Sequence, residues 1–265
     1  MKMETPRLAI LATILLALAM EAPALMDSAV LTEELHKAYP LGAGGRVALR
    51  NINGAVRITA WDKNEVKVDA VKKASTKEAL AEASIMIDAS ADSVSIRTEY
   101  PKNSERRNPA SVEYTLMVPR AAILSSIDLV NGSITISGVS GEVKAKSVNG
   151  AVKADKLAGD ARLSTVNGRV EAEFDRLEAH SIDMHSVNGA VIVSLPYKTD
   201  AELAASTVHG GIHNDFGLIP EGRRGPGRSL STRIGKGGAA RIKLHTVNGT
   251  IDIRSMADGR RVRSL

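Results

Sequence analysis

A six-residue pattern of apolar, polar and glycine positions recurs along the chain and predicts its organisation. The pattern is Ser/Thr-Val-Asn-Gly-x-Val/Ile, with clear copies at residues 147–152, 165–170, 186–191 and 246–251. Looser copies occupy residues 51–56, 129–134 and 207–212. From Gly132 to Gly210 the glycines of the pattern are 18, 18, 21 and 21 residues apart, whereas the first and last intervals are 78 and 39. Such self-similarity is typical of a repeat protein whose units stack on their neighbours.

Asn-Gly between apolar residues usually predicts a β-hairpin, because a type I′ turn needs positive φ at both central residues. A two-residue hairpin would pair Val166 with Arg169, and neither of its faces would be consistently apolar. A strand that runs through the glycine instead places the residues two before and two after each glycine on one apolar face. The inward rows predicted in this way are Val130, Val148, Val166, Val187, Val208 and Val247, and Ile134, Val152, Val170, Val191, Ile212 and Ile251.

The residues five and seven before each glycine are also apolar, as in Val143 and Ala145. They are an odd number of positions from the valine two before glycine, so we expect a corner near the Ser/Thr position. Each unit is then two short strands, a corner and a turn, and equivalent residues of neighbouring units stack about 4.8 Å apart. This predicts an all-β solenoid with 18–21-residue coils and core rows of valine; an antiparallel meander is the alternative. The polar and glycine positions are predicted to form a structural ladder of Asn131, Asn149, Asn167, Asn188 and Asn248 with Gly132, Gly150, Gly168, Gly189, Gly210 and Gly249.

The intervals between the copies contain further predicted elements. Period-2 alternation predicts strands at residues 47–60, 66–71, 85–88, 94–98 and 112–118. The capping box Ser75-Thr76-Lys77-Glu78 predicts one short helix at residues 75–83, which would cover an open end or flank of the sheet. Residues 33–38 are expected to form a helical lead-in, and residues 214–238 a basic loop insertion.

The N-terminus has the features of an export signal. Lys2 and Arg7 precede a 12-residue apolar stretch, and Ala22-Pro23-Ala24 fits a cleavage site. Twelve residues are fewer than the roughly 20 that span a membrane. We therefore expect a signal peptide at 1–24, a lead-in at 25–44, a repeat domain at 45–255 and a basic tail at 256–265. With no cysteine in the chain, disulfides and thiol chemistry are excluded.

The repeat at this spacing, together with the opening residues 45–54 and the Trp61-Asp62 that follows, resembles the bacterial "putative adhesin" family of exported β-strand-repeat proteins of unknown function. The resemblance covers roughly residues 45–253. It implies a right-handed parallel β-helix-like fold in an exported protein, and it carries no implication about chemistry.

Positive charge is concentrated near the C-terminus. Residues 221–265 contain 11 Lys/Arg against 3 Asp/Glu, whereas the whole chain has a net charge of +5. Such a basic region favours anionic partners, which for an exported protein are envelope polymers rather than nucleic acid. A solvated loop and tail are the alternative. The candidate residues for binding an anionic partner are Arg223, Arg224, Arg228, Arg233 and Lys236.

Candidate catalytic and metal-binding residues do not form a recognisable set. The six histidines lack the spacing of a metal site, and the Ser/Thr of the pattern recurs in a row, unlike a single activated nucleophile. Glu171, Glu173, Asp175, Glu178 and Asp183 are close in sequence, and paired carboxylates would suit glycoside cleavage.

These patterns favour a non-enzymatic, exported, adhesin-like binding or scaffold module of the cell envelope. We expect no cofactor, no metal and no transmembrane span in the mature chain. The expected partner is an anionic envelope polymer or another envelope protein, in the periplasm or at the cell surface. The alternative is a polysaccharide lyase or hydrolase on a β-helix scaffold.

Overall fold

A computed structural model describes residues 30–101, 109–177, 181–219, 221–222, 227–238, 240–257 and 260–261. The expected signal peptide lies outside these residues. In the part of the chain that the structure describes, no helix has both the length and the apolar character needed to cross a membrane.

The regular secondary structure of the described residues is almost entirely β-strand, which confirms the all-β class. The single helix among them is α1 (Lys77–Glu82). The strands are β1 (Leu31–Pro40), β2 (Arg46–Asn53), β3 (Val56–Trp61), β4 (Glu65–Ala74), β5 (Ser84–Ala89), β6 (Ser93–Glu99), β7 (Ser111–Pro119), β8 (Ile123–Asn131), β9 (Ile134–Ser137), β10 (Val143–Asn149), β11 (Val152–Leu157), β12 (Ala161–Asn167), β13 (Val170–Phe174), β14 (Ser181–Asn188), β15 (Val191–Pro196), β16 (Ala201–His209), β17 (Ile212–Asn214), β18 (Glu221–Gly222), β19 (Arg228–Ile234), β20 (Ala240–Asn248), β21 (Ile251–Ala257) and β22 (Arg260–Arg261).

Two mixed sheets of 11 strands each form the fold. Sheet 1 has the order β1-β4-β7-β3-β9-β11-β13-β15-β21-β17, with β22 beside β21. Sheet 2 has the order β18-β19-β16-β20-β14-β12-β10-β8-β2-β6-β5. The apolar residues of both sheets belong to one buried core, so the inner faces of the sheets pack against each other.

Each copy of the pattern connects a strand of sheet 2 to a strand of sheet 1, and we call such a pair of strands a coil. In one coil β10 ends at Asn149 and β11 begins at Val152, so the chain turns between the sheets at Asn-Gly-x. Neighbouring coils are parallel and in register, with Asn149 opposite Asn167 and Val152 opposite Val170. The Asn-Gly pairs are therefore corners and not hairpin turns.

The position of the corner overturns one of the predicted core rows. Because the strand of sheet 2 keeps its alternation up to the asparagine, the Ser/Thr faces inward and the valine after it faces outward. Val130, Val166 and Val208 are 40%, 39% and 37% exposed, whereas Ser147 and Thr165 are buried. The row two after glycine is buried as predicted, as are the residues five and seven before it.

The order of the coils in space differs from their order in the chain at both ends. Near the N-terminus, β2 lies between β6 and β8, so the coil β6/β7 lies outside β2/β3. Near the C-terminus, β20 lies between β14 and β16, so the coil β20/β21 lies inside β16/β17. The 78-residue interval thus holds a degenerate coil with β4, α1 and β5, and the 39-residue interval holds β18 and β19.

The expected helical lead-in is wrong, because residues 31–40 form strand β1, antiparallel to β4 at the edge of sheet 1. Leu35 and Tyr39 contact the core from this strand, and their spacing of four residues imitates a helix. The predicted short helix is present as α1 and contacts β4 and β1. Its N-cap is Thr76, whose hydroxyl accepts a hydrogen bond from the backbone N–H of Ala79.

Candidate functional site

The inner side of five of the seven corners is held by a hydroxyl and a glycine. The Ser/Thr hydroxyl of one coil donates a hydrogen bond of 2.8–3.0 Å to the carbonyl of the glycine in the adjacent coil, as Ser147 does to Gly132. A Cβ on these glycines would lie only 1.8–2.3 Å from a backbone carbonyl oxygen of the neighbouring coil. The Ser/Thr and glycine positions are therefore used by the fold itself and are not available for chemistry.

On the outer side of the corner, the asparagines form a continuous hydrogen-bonded ladder. Each side-chain Nδ2 donates to the Oδ1 of the next asparagine at 2.8–2.9 Å, through Asn248, Asn188, Asn167, Asn149, Asn131 and Asn53. His209 continues it at the C-terminal end, with its Nδ1 3.1 Å from Asn248 Oδ1. Since that Oδ1 is an acceptor, the His209 Nδ1 carries the donated proton.

Tyr100 closes the other end of the ladder. Its hydroxyl is hydrogen-bonded to Asn53 and donates to the carbonyl of Ala110 at 2.9 Å. Burial raises the pKa of Tyr100 to about 12, so the hydroxyl stays protonated at physiological pH. The ladder therefore ends on His209 at one side and on Tyr100 at the other.

Among the predicted basic residues that the structure describes, Arg228 and Arg233 do not lie together. Arg223 and Arg224 lie outside the described residues. Arg228 and Arg233 do not lie on a loop but near opposite ends of strand β19, antiparallel to β16. Because they are five residues apart, strand alternation points them to opposite faces. Lys236 is exposed in the turn after β19, where its backbone N–H donates to Asp200 Oδ1 at 2.6 Å.

Arg233 instead shares a groove with Arg241 and Lys243 of β20. The sequence did not indicate these two residues as part of a site. We call this groove, on the outer face of sheet 2 between β19 and β20, the β16 groove. Its volume is about 380 Å³. The outward-facing residues that line it are Glu202, Ala204, Ser231, Arg233, Arg241 and Lys243.

Strand register explains the shape of the β16 groove. Glu202 lies opposite both Arg241 and Arg233, and Ala204 lies opposite both Lys243 and Ser231. The row of Ala204 continues through Lys243, Asp183, Arg162 and Lys144, which are all long or charged. The short side chain of Ala204 therefore leaves a depression between the side chains of β19 and β20.

The charge balance of the groove is positive. Its three cations face one carboxylate, Glu202, whose Oε2 is 3.8 Å from Arg241 Nε. No described residue forms an ion pair with Arg233 or Lys243. Asp183, next to Lys243 in the row, lies 3.9 Å from Arg162. Because Ile242 and Leu244 are buried, strand alternation places Arg241 and Lys243 on the outer face. Their proximity to Arg233 follows only from the pairing of β19 with β16, which the sequence pattern does not show.

Two histidines stack on the same face of sheet 2. The rings of His185 and His245 are 5.1 Å apart between centroids and nearly parallel, and Ser206 Oγ is 2.9 Å from His245 Nδ1. Burial, and then the neighbouring His245, lower the pKa of His185 below its ordinary value, against the opposing effect of Asp183. Over the residues that the structure describes, no group of three or more His, Asp or Glu is placed to hold a metal ion.

The acids that motivated the enzyme alternative lie on different sheets. Glu171 and Glu173 belong to β13 of sheet 1, whereas Asp183 belongs to β14 of sheet 2. Glu178 is outside the described residues. The structure therefore does not place Glu173 and Asp183 in one cleft, and the polysaccharide-active alternative gains no support.

Comparison with protein families identifies the fold. The family model described as Toastrack DUF4097 matches residues 120–254, just over half of the chain. The chain belongs to this family. The Toastrack match begins before β8 and ends within β21, so it includes six of the seven corners. No curated protein sequence matches this Toastrack chain.

Three solved structures are similar to the Toastrack protein at low identity. One is described as a putative cell adhesion protein from Clostridium sporogenes; identity is 13%, the TM-score is 0.46, and the match covers 84% of this chain and 100% of that one. A putative adhesin from Bacteroides fragilis has 10% identity and a TM-score of 0.40, covering 83% and 97% of the two chains. A putative adhesin from Parabacteroides distasonis has 9% identity, a TM-score of 0.23 and the same coverage.

Proposed function

We propose that this Toastrack protein is a non-enzymatic, exported module of the cell envelope that binds an anionic partner in an adhesin-like manner. The observation that carries the proposal is the use of the repeat. Its Ser/Thr, Asn and Gly positions hold the coils together, while exposed cations gather at the C-terminal end of sheet 2. A rigid frame that presents charged side chains is suited to binding.

The proposal also includes the geometry of the coils and the export of the protein. The coils form a right-handed β-solenoid of 18–21 residues per turn, preceded by a cleaved signal peptide. The protein then acts in the periplasm or at the cell surface, as a binding module or a scaffold, with an anionic envelope polymer or another envelope protein as partner.

Co-sedimentation of the mature chain with purified envelope fractions, at low and at moderate salt, tests this function. We expect binding that weakens with salt, because exposed charge pairs are screened over about 10 Å at 0.1 M ionic strength. A variant with Arg223, Arg224 and Arg228 changed to Ala separates the contribution of these three arginines. The absence of binding at both salt concentrations would overturn the anionic-partner proposal.

A further inference from the structure

We propose that the β16 groove is an oxyanion site that binds phosphate groups of a phosphate-bearing envelope polymer. It is distinct from a site at Arg223, Arg224 and Arg228, and two of its cations, Arg241 and Lys243, are not among the residues expected from the sequence. The inference rests on the proposed function for its biological partner, but the site itself is testable with soluble phosphates alone.

The positions of the cations fit a small tetrahedral anion above Ala204. Neighbouring strands lie about 4.8 Å apart, so the strands that carry Arg233 and Arg241 are separated by roughly 10 Å, with β16 between them. Long guanidinium side chains reach across half of that distance. An anion on the floor of the groove would therefore meet Arg233 from one side and Arg241 and Lys243 from the other.

The donors in the groove favour phosphate over a single carboxylate. Two guanidinium groups, an ammonium group and the hydroxyl of Ser231 supply more donors than the two oxygens of a carboxylate accept. Arginine forks are well matched to phosphate oxygens. Arg241 and Lys243 are two residues apart on one strand, about 7 Å, which lets a linear polymer place a second phosphate along the groove.

One arginine of the groove is partly positioned before any ligand arrives. A Cβ on Gly237 would lie 2.9 Å from Arg233 Cδ, so the stem of Arg233 packs closely over this glycine in the turn after β19. This packing restricts the stem of Arg233, which lowers the entropy that it loses on binding. Glu202 opposes anion binding, because its carboxylate faces the same space and competes for Arg241, with its Oε2 3.8 Å from Arg241 Nε.

The test measures binding of inorganic polyphosphate to the mature chain by titration calorimetry, with poly-L-glutamate as the carboxylate probe. We expect polyphosphate to bind more tightly than poly-L-glutamate. The double variant Arg241→Ala/Lys243→Ala should bind polyphosphate about tenfold or more weakly, as expected for loss of charge-assisted hydrogen bonds. Glu202→Gln should bind it more tightly.

Matched variants separate a defined site from general positive charge. Lys144→Ala/Lys146→Ala removes the same charge from the same sheet face at the same spacing, and should change affinity less than about twofold. Ala204→Asp places a carboxylate on the floor and should abolish binding, whereas Ala204→Ser should not. Equal losses in the two double variants, or no polyphosphate binding by the unaltered chain, would overturn the site.

The outcome separates this proposal from the wider function. If the Arg241/Lys243 variant loses polyphosphate binding but still co-sediments with envelope fractions, the groove is an oxyanion site and the envelope partner binds elsewhere. If the variant keeps polyphosphate binding and loses co-sedimentation, the groove proposal is wrong and the function stands.

Discussion

Gly150→Ala tests whether close approach of the coils at the corner is a condition of the fold. A Cβ at this position would lie 2.1 Å from the carbonyl oxygen and 2.5 Å from the carbonyl carbon of Gly132. Both atoms are backbone and cannot rotate away. The two coils must therefore separate locally by about 1 Å to restore ordinary contact distances, which begin near 3 Å.

The cost follows from the bonds that cross this contact. Gly132 N–H donates to Asn149 O at 3.0 Å, Ile134 N–H donates to Ala151 O at 2.9 Å, and Ser147 Oγ donates to Gly132 O at 2.9 Å. Losing three hydrogen bonds at about 1 kcal/mol each gives roughly 3 kcal/mol. The alanine restricts the unfolded chain and returns about 0.4–1 kcal/mol, so the expected net loss is about 2–3 kcal/mol.

Urea unfolding followed by circular dichroism measures this loss. The matched control is Ala151→Ser, one residue further along, where the repeat already has Ser133 in another copy. That side chain is exposed, and the control should stay within about 0.5 kcal/mol of the unaltered chain. A Gly150→Ala variant as stable as this control would refute the close-approach argument.

Three further predictions concern core parity and two histidines. Val166→Asp should lower the free energy of unfolding by less than about 1 kcal/mol, because this side chain is 39% exposed. Val170→Asp, at a fully buried position, should lower it by more than about 4 kcal/mol, and urea unfolding measures both. Similar losses in the two variants would contradict the assignment of Val166 to the outer face and Val170 to the core. Hydrogen bonds to Asp69 and Glu34 raise the pKa of His36 above its ordinary value of 6.5. The stabilisation that protonated His36 provides is therefore fully present below pH 6.5 and is lost as the pH rises through the folded-state pKa. NMR titration should show this pKa falling in Asp69→Asn. Burial lowers the pKa of His185 below its ordinary value of 6.5. The stabilisation that neutral His185 provides is therefore present above pH 6.5 and is lost as the pH falls through the folded-state pKa. A pKa above 6.5 for His185, measured by NMR titration, would contradict this prediction.

Much of the fold could be predicted because the repeat fixes which residues stack. The intervals of 18 and 21 residues bring equivalent asparagines opposite each other, and apolar alternation identifies most of the buried rows. The corner was misplaced because the valine before Asn is as apolar as a core residue. Its outward direction depends on where the strand breaks, which is decided by the close approach of the glycines.

The ends of the stack were less predictable for a topological reason. The number of residues between two copies of the pattern does not determine on which side of a coil the following coil pairs. The outer position of the coil β16/β17 could therefore not be derived from the sequence. Strand β19 was hidden in a Gly- and Arg-rich segment that is typical of a loop, although Leu230 and Ile234 are buried in it. Without β19, the meeting of Arg233 with Arg241 and Lys243 had no basis in the sequence.

The interior position of the coil β20/β21 has a consequence for how the domain is assembled. Strand β20 bonds to β14 on one side and to β16 on the other, although it follows both in the chain. Until residues 240–248 are in place, β16 and β19 have no partner in the rest of sheet 2, and the edge of β14 is open. A segment made late therefore lies between two segments made earlier, and β16 and β19 join the rest of sheet 2 only through it. A truncation before Ala240 would remove more than one coil, because it would also release the antiparallel pair of β16 and β19 that carries half of the β16 groove.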